Sequence, residues 1–188
     1  DTWEGMFTKG YYQNGVNNGF VIRRSEDNNK IYFARSDGQN PSTILTSSGT
    51  VTASSSWTHI VVTRSGNSFV MYIDGSSVAT APSTSTTLWD NSEDIEFGNG
   101  NTGSNTERLD GKMDEVAIWD EALTAAEISK IYNSGLGYIS LDTNAGDYTS
   151  SSGLIGHWKM DEGSGTSVGD SSSNSHTATI TGATWSTE

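Results

Sequence analysis

The sequence WTHIVVTR at residues 57–64 is followed by FVMYI at residues 69–73, and both read as β-strands. Apolar side chains fall on both faces of each strand, which is typical of central strands in a packed sheet. Asp74 and Gly75 then predict a hairpin turn, because such turns need positive φ values. The two stretches therefore predict a central pair of strands.

Shorter stretches repeat this alternation of strand and polar turn along the chain. Strands are predicted at residues 20–24, 30–35, 77–80, 94–98, 109–119, 154–160 and 177–180. One short surface helix is predicted at about 124–134, because Thr124 and Glu127 have the spacing of a capping box. Trp57, Trp119 and Trp158 are expected to pack in the core or between strands. The predicted fold class is all-β, an antiparallel β-sandwich of the jelly-roll type.

Composition and charge narrow the classes of function. Hydrophobic residues make up 32% of the 188 residues, and the formal net charge is −13. This charge would repel phosphate backbones and anionic membranes, so neither nucleic-acid binding nor membrane insertion is expected. The chain has no Cys, which excludes disulfide and thiol chemistry. An acidic excess suits divalent cations and extracellular surfaces.

Three segments, taken in this order, resemble the laminin G-like modules of the concanavalin A-like lectin/glucanase superfamily. The segments are residues 57–64 with 71–75, residues 111–119 with 122–128, and residues 154–165 with 170–174. The resemblance implies a jelly-roll fold and a function in binding or adhesion.

The order of the segments is unusual for such a module. The Trp-Lys-Met-Asp-Glu-Gly segment at 158–163 resembles the opening of a module, yet it lies near the end of this chain. We therefore expect residues 1–135 to form a sandwich that lacks its opening strands, residues 136–153 to be a linker, and residues 154–188 to supply opening strands. These strands would complete a sandwich in the same chain or, by strand exchange, in a neighbouring copy. The alternative is that residues 154–188 are the start of a second, truncated module.

A structural calcium site is the first chemical hypothesis. Asp170, Ser172 and Asn174 alternate oxygen ligands as a calcium loop does, although the glycine and distal glutamate of an EF-hand are missing. Strand alternation places Asp114 on the core face with Val116 and Ile118, where a carboxylate needs a cation or several donors. The family resemblance also implies a structural cation near Asp114. A solvated polar turn is the alternative for the 170–174 loop.

Carbohydrate recognition is the second hypothesis, with glycans or a cell-surface polysaccharide as the partner. Trp89, Asp90 and Asn91 combine an aromatic platform with polar groups in one predicted loop, and residues 11–14 offer another such group. The alternative for Trp89 is a side chain that anchors its loop against the sandwich.

Catalysis is not expected. Glu93, Asp94 and Glu96 superficially resemble the carboxylate motif of some glucanases, but glycoside hydrolysis needs two carboxyls that face one cleft. The three histidines suggest neither a catalytic triad nor zinc-ligand spacing. The sequence therefore predicts a non-catalytic binding or adhesion module on an extracellular, cell or virion surface. The alternative is a structural subunit of a fibre, filament or virion appendage that has no ligand.

Overall fold

The computed structural model describes residues 2–10, 18–37, 41–52, 56–82, 92–100, 107–136 and 139–186. The chain divides into two compact units, Asp1–Gly111 (unit 1) and Lys112–Glu188 (unit 2). The paired strands of the described residues are antiparallel, and these residues contain one short α-helix. The predicted all-β fold class is confirmed.

Unit 1 is a sandwich of two sheets. Its described strands are β1 Trp3–Lys9, β2 Asn18–Ser25, β3 Ile31–Asp37, β4 Pro41–Thr46, β5 Ile60–Ser65, β6 Ser68–Ile73, β7 Ser76–Pro82 and β8 Ile95–Phe97. Five strands form one sheet in the order β4-β3-β2-β1-β8, and three form the other in the order β5-β6-β7. The predicted central pair of strands, β5 and β6, is thus part of the smaller sheet.

The core of unit 1 lies between these sheets. Ile31, Phe33 and Leu45 of the larger sheet pack with Phe69 and Met71 of β6, and all five side chains are buried. The Phe33 and Phe69 ring centroids are 5.4 Å apart. Alternation explains this set, because in β3 every second side chain reaches the core face while the residues between them reach the opposite face.

A β-bulge in β1 changes which face its side chains occupy. The register with β2 shifts between Gly5 and Phe7, so that Gly5 pairs with Arg23 and Phe7 pairs with Ile22. Without the shift, Trp3, Gly5 and Phe7 would share one face. The bulge instead leaves Trp3 on the face opposite the core and directs Phe7 to the core face.

Unit 2 combines short strands with the helix. It contains β9 Val116–Trp119, α1 Ala125–Tyr132, β10 Leu154–Trp158, β11 Ser167–Val168 and β12 Ala178–Thr179, with 3-10 turns at Asn133–Gly135 and Ser151–Gly153. β9 pairs with β10, and β11 pairs with β12. The predicted capping box is confirmed, since the Thr124 hydroxyl accepts from the Glu127 N–H and the Glu127 carboxylate accepts from the Thr124 N–H.

The predicted domain boundaries differ from the two compact units. The division falls after Gly111, so α1 and residues 136–153 belong to unit 2. The described part of the expected linker contributes buried Leu141 and Tyr148, and the Tyr148 hydroxyl donates to the Leu141 carbonyl at 2.8 Å. Two apolar anchors among polar turn residues are too sparse a pattern to separate this segment from a linker by sequence.

Residues 154–158 form a strand that pairs within the same chain. β10 pairs with β9 of the same chain and buries Leu154 and Trp158, which is 6% exposed. That residues 154–188 are the opening strands of a laminin G-like module stays a prediction. Trp57, by contrast, is 53% exposed, so its predicted place in the core or between strands is wrong.

Candidate functional site

Asp170 of the predicted calcium loop is surrounded by hydrogen-bond donors. Its Oδ1 accepts from the backbone N–H groups of His157 and Ser172, both at 2.8 Å. Its Oδ2 accepts from the Ser172 hydroxyl at 2.9 Å and from the His176 N–H at 2.8 Å. Burial would raise the pKa of Asp170, but these hydrogen bonds outweigh burial and lower it.

Ser172 and Asn174 are brought beside Asp170, as predicted, but they face β10. The Asn174 side-chain amide donates to the Ile155 carbonyl at 3.2 Å and to the Leu154 carbonyl at 3.4 Å. The Ser172 hydroxyl also lies 3.4 Å from the Ile155 carbonyl and accepts from the Asn174 N–H. The loop is therefore tied to a strand by its own side chains.

This arrangement does not fit a calcium ion. Four donors already fill the acceptor positions of Asp170, and three of them are backbone N–H groups, which a cation would repel. Within the part of the chain that the structure describes, no three His, Asp or Glu side chains are grouped so as to hold a metal ion. Calcium binding by Asp114, Asp170, Ser172 and Asn174 stays a prediction without structural support.

Asp114 does not occupy the core-facing position expected from alternation. Its side chain is exposed, β9 begins only at Val116, and Glu115 has a φ of 52°. The left-handed backbone at Glu115 interrupts the strand, so the count of alternating faces cannot be extended back to Asp114. The predicted core-facing carboxylate is therefore wrong.

The interrupted backbone gives Glu115 a partner in β10. Its carboxylate lies 2.7 Å from Nε2 of His157, which is almost completely buried. Neither residue was singled out as functional by sequence. The contact joins the residue before β9 to the strand that pairs with β9, so it supports the structure of unit 2.

The remaining predicted site residues are the candidate sugar-binding groups and the glucanase-like carboxylates. Trp89, Asp90 and Asn91 lie outside the described residues, and so do Tyr11, Tyr12 and Asn14, so these candidate sugar-binding groups stay predictions. In the glucanase-like stretch, Asp94 is exposed and precedes β8, whereas Glu96 is half-buried within β8 and accepts from the Asn99 side chain at 2.7 Å.

A mixed aromatic and charged row crosses the larger sheet of unit 1, on the face opposite its core. Arg23 in β2 is flanked by Gly5 of β1 and Tyr32 of β3 in the strand register. The Arg23 guanidinium lies 3.9 Å from the Trp3 ring centroid, and Trp3 meets Tyr32 edge to face at 5.0 Å. All three side chains are half-buried. Together with Glu107, we call them the sheet-face row.

Carboxylates hold the arginines at this end of the sheet. Arg23 donates from Nη1 to both carboxylate oxygens of Glu107, at 3.2 and 3.4 Å. A backbone hydrogen bond holds Glu107 beside β1, because the Gly5 N–H donates to the Glu107 carbonyl at 3.0 Å. On the core-side face of the same strand, Arg24 is the register partner of Ile31 and pairs with buried Glu4 at 2.8 Å, and this hydrogen bond raises the pKa of Arg24.

The outer end of the row carries amide and hydroxyl groups. Exposed Asn28 donates from its side chain to the Tyr32 hydroxyl at 2.8 Å, and Thr46 lies beside Tyr32 in β4. The row and the residues beside it therefore offer aromatic rings, a cation, a carboxylate and neutral polar groups.

The sheet-face row is not evident from the sequence. Trp3 lies 20 positions before Arg23 in the sequence. The register of β1, β2 and β3 brings these two residues and Tyr32 together. The available signal was alternation in β2 and β3, where Arg23 and Tyr32 fall between core residues.

Comparisons with known proteins agree with the architecture. A protein of Bacteroides ovatus ATCC 8483, proposed to bind carbohydrate, superposes at a TM-score of 0.60 over 95% of this chain and 53% of its own, with 16% identity. This chain thus spans about half of that protein's length. An S-layer domain-containing protein of Clostridium thermocellum ATCC 27405 aligns at a TM-score of 0.35, too low to show a shared fold, with 27% identity over 65% of this chain and 59% of its own.

The search of curated proteins found no match. The sequence model of the concanavalin A-like lectin/glucanases superfamily matches residues 1–129. Because this match covers more than two thirds of the 188 residues, the chain belongs to the concanavalin A-like lectin/glucanase superfamily.

Proposed function

We propose that the protein is a non-catalytic carbohydrate-binding module and that the sheet-face row of unit 1 contacts the sugar. The observation that carries this proposal is the joint presence of Trp3, Tyr32, Arg23 and Glu107 on one half-buried surface. The family includes lectins, and the Bacteroides ovatus protein that shares the fold is itself proposed to bind carbohydrate.

The chemistry of a sugar matches the chemistry of this row. A pyranose presents an apolar C–H face, which packs on aromatic rings, and hydroxyls, which both donate and accept hydrogen bonds. Arg23 supplies donors, Glu107 supplies acceptors, and Asn28 with the Tyr32 hydroxyl can do both. The existing ion pair and hydrogen bonds hold these groups in place before a ligand arrives, which lowers the entropic cost of binding.

Charge restricts the class of sugar. The chain has a net charge of −13, and Arg23, the arginine of the row, is already paired with Glu107. An anionic polysaccharide would be repelled and would find no excess cation to compensate. Neutral glycans are therefore the ligand class that we propose, at a cell surface or in an extracellular matrix.

Trp89, Asp90 and Asn91 stay candidates for a second contact with the sugar. Extracellular or surface location stays a prediction. No helix among the described residues is both long and apolar enough to cross a membrane.

A glycan array followed by calorimetry tests the proposal. We expect the unmodified protein to bind neutral glycans, and the Tyr32→Phe and Asn28→Ala variants to bind the same glycans several-fold more weakly, since each loses a polar group of the row. Trp57→Ala is the aromatic control outside the row, and Trp89→Ala tests the second contact. Loss of binding only in one of these two would move the site, and no binding to any glycan would favour a structural subunit.

A further inference from the structure

β10 has two edges, and one of them is paired with β9. Pairing connects Gly156, His157 and Trp158 to residues of β9. At the other edge, an exposed strand would present unpaired N–H and carbonyl groups that could pair with another chain. The backbone groups of Ile155 and His157 that take part in hydrogen bonds with the 170–176 loop lie at this second edge.

The loop at residues 170–176, which we call the cap loop, satisfies this second edge. The His157 N–H donates to Asp170, and the His157 carbonyl accepts from the Ser171 N–H at 2.7 Å. The Ile155 carbonyl accepts from the Asn174 side-chain amide at 3.2 Å. Side chains and one backbone N–H thus take the places that a neighbouring strand would fill.

Asp170 fixes the shape of the cap loop. Three of its four donors come from the loop itself, namely the N–H and hydroxyl of Ser172 and the N–H of His176, and the fourth is the N–H of His157 in β10. One carboxylate therefore folds the loop and attaches it to the strand. The same hydrogen bonds give the loop the geometry of an edge cap.

We propose that the cap loop is a built-in block against strand addition, and that its removal exposes an edge on which β10 of a second copy pairs. The second copy is the favoured partner because an antiparallel β10–β10 contact is self-complementary and closes as a two-fold dimer. The Ile155 side chain is 38% exposed on this strand and would gain apolar contact in such a dimer.

Sedimentation of the full chain carrying Asp170→Ala and Asn174→Ala tests this proposal. We expect a concentration-dependent dimer whose association is about tenfold stronger, or more, than any self-association of the unmodified protein. Ser173→Ala, an exposed residue of the same loop, is the matched control and should leave the association state unchanged. An unchanged association state in a folded double variant would overturn the proposal.

Two further variants keep the proposal testable if the double variant unfolds. Asn174→Ala alone retains the Asp170 hydrogen bonds and should give a weaker but measurable shift toward dimer. Adding Ile155→Lys should return either variant to the association state of the unmodified protein, because lysine on an edge strand opposes pairing. In the double variant and in Asn174→Ala, hydrogen exchange at residues 154–158 should slow as the protein concentration rises. Exchange that is fast at every concentration would contradict edge pairing.

Discussion

Unit 1 and unit 2 differ in the interactions that stabilise each of them. The interior of unit 1 is a continuous apolar core between two sheets, formed around Ile31, Phe33, Leu45, Phe69 and Met71. Unit 2 also buries apolar side chains, but its elements are tied by two carboxylates that accept many hydrogen bonds, Glu127 and Asp170. The difference predicts that unit 1 responds mainly to lost volume, whereas unit 2 also responds strongly to lost acceptors and to acid.

Of these two carboxylates, Glu127 accepts the larger number of hydrogen bonds. The side chain is 3% exposed and accepts from the N–H and hydroxyl of Thr124, from the N–H and hydroxyl of Thr149, and from the Ser150 hydroxyl. Burial would raise the pKa of Glu127, but these hydrogen bonds lower it from 4.5 to about 2. A residue recognised as a helix cap therefore also attaches α1 to the segment at 149–150.

Charge accentuates the contrast between the units. Residues 1–111 carry 12 acidic and 7 basic side chains, for a net charge of −5, and residues 112–188 carry 11 and 3, for a net charge of −8. Unit 2 therefore has more repulsion to overcome in a shorter segment. Its two hydrogen-bonded carboxylates turn part of that negative charge into a source of stability.

The largest effect is expected from Phe69→Ala. Phe69 is 1% exposed and contacts the core from β6, so truncation leaves a cavity and should lower the free energy of unfolding by about 3–5 kcal/mol. Denaturant unfolding with hydrogen exchange at β6 measures the loss. Leu136→Ala, at a residue that is 81% exposed, is the control and should change stability by less than about 0.5 kcal/mol. A loss below about 1 kcal/mol for Phe69→Ala would break the comparison.

The next effect is expected from Glu127→Gln in unit 2. The amide keeps the volume but replaces one acceptor oxygen by a donor, which faces the donors of Thr149 or Thr124. We expect a loss of roughly 2–4 kcal/mol in the free energy of unfolding. Asp161→Asn removes the same charge from an exposed side chain of unit 2 and should be close to neutral. Equal effects of the two substitutions would show that charge, and not the hydrogen bonds, matters.

Lowering the pH should reduce the stability of unit 2 more than that of unit 1. Because the pKa of Glu127 is lower in the folded chain, its contribution is complete above pH 4.5 and is lost as pH falls toward about 2. Asp170 acts in the same direction. Hydrogen exchange between pH 7 and pH 2 should show unit 2 losing up to roughly 3 kcal/mol more protection than unit 1. The Glu127→Gln variant should lack most of this acid dependence, and loss of protection in both units at the same pH would contradict the expectation.

The sequence pattern identified most strands because alternation and turn residues are local signals. The helix cap at Thr124 and Glu127 was readable for the same reason. Strands β1, β4 and β11 were not identified. Residues 41–46 place their only strongly apolar residues, Ile44 and Leu45, side by side, and β11 has two residues, so neither gives a period to recognise.

The sheet-face row could not be derived in the same way, because it depends on register. Arg23 reaches Trp3 only because the β1 bulge between Gly5 and Phe7 leaves Trp3 on the face opposite the core. Asp114 illustrates the converse, since the positive φ of Glu115 broke an alternation that the sequence alone suggested. The predicted loop at 170–174 did come together, but as donors and acceptors for one another and for β10.

The smallest effect is expected from Trp57→Ala, a substitution that sharpens the comparison between the units. Sequence predicted similar packing for Trp57 and Trp158, yet Trp57 is 53% exposed in unit 1 and Trp158 is 6% exposed in unit 2. The Trp158 indole also donates to the His176 carbonyl at 2.7 Å and covers Gly156 within its own strand. We therefore expect Trp57→Ala to lower the free energy of unfolding by less than about 1 kcal/mol, and Trp158→Ala by about 3–5 kcal/mol. Thermal unfolding of the two variants, each checked by hydrogen exchange in its own unit, measures both losses. A large loss for Trp57→Ala would mean that its ring packs against the protein after all, and would remove it as the aromatic control for the sugar-binding experiment.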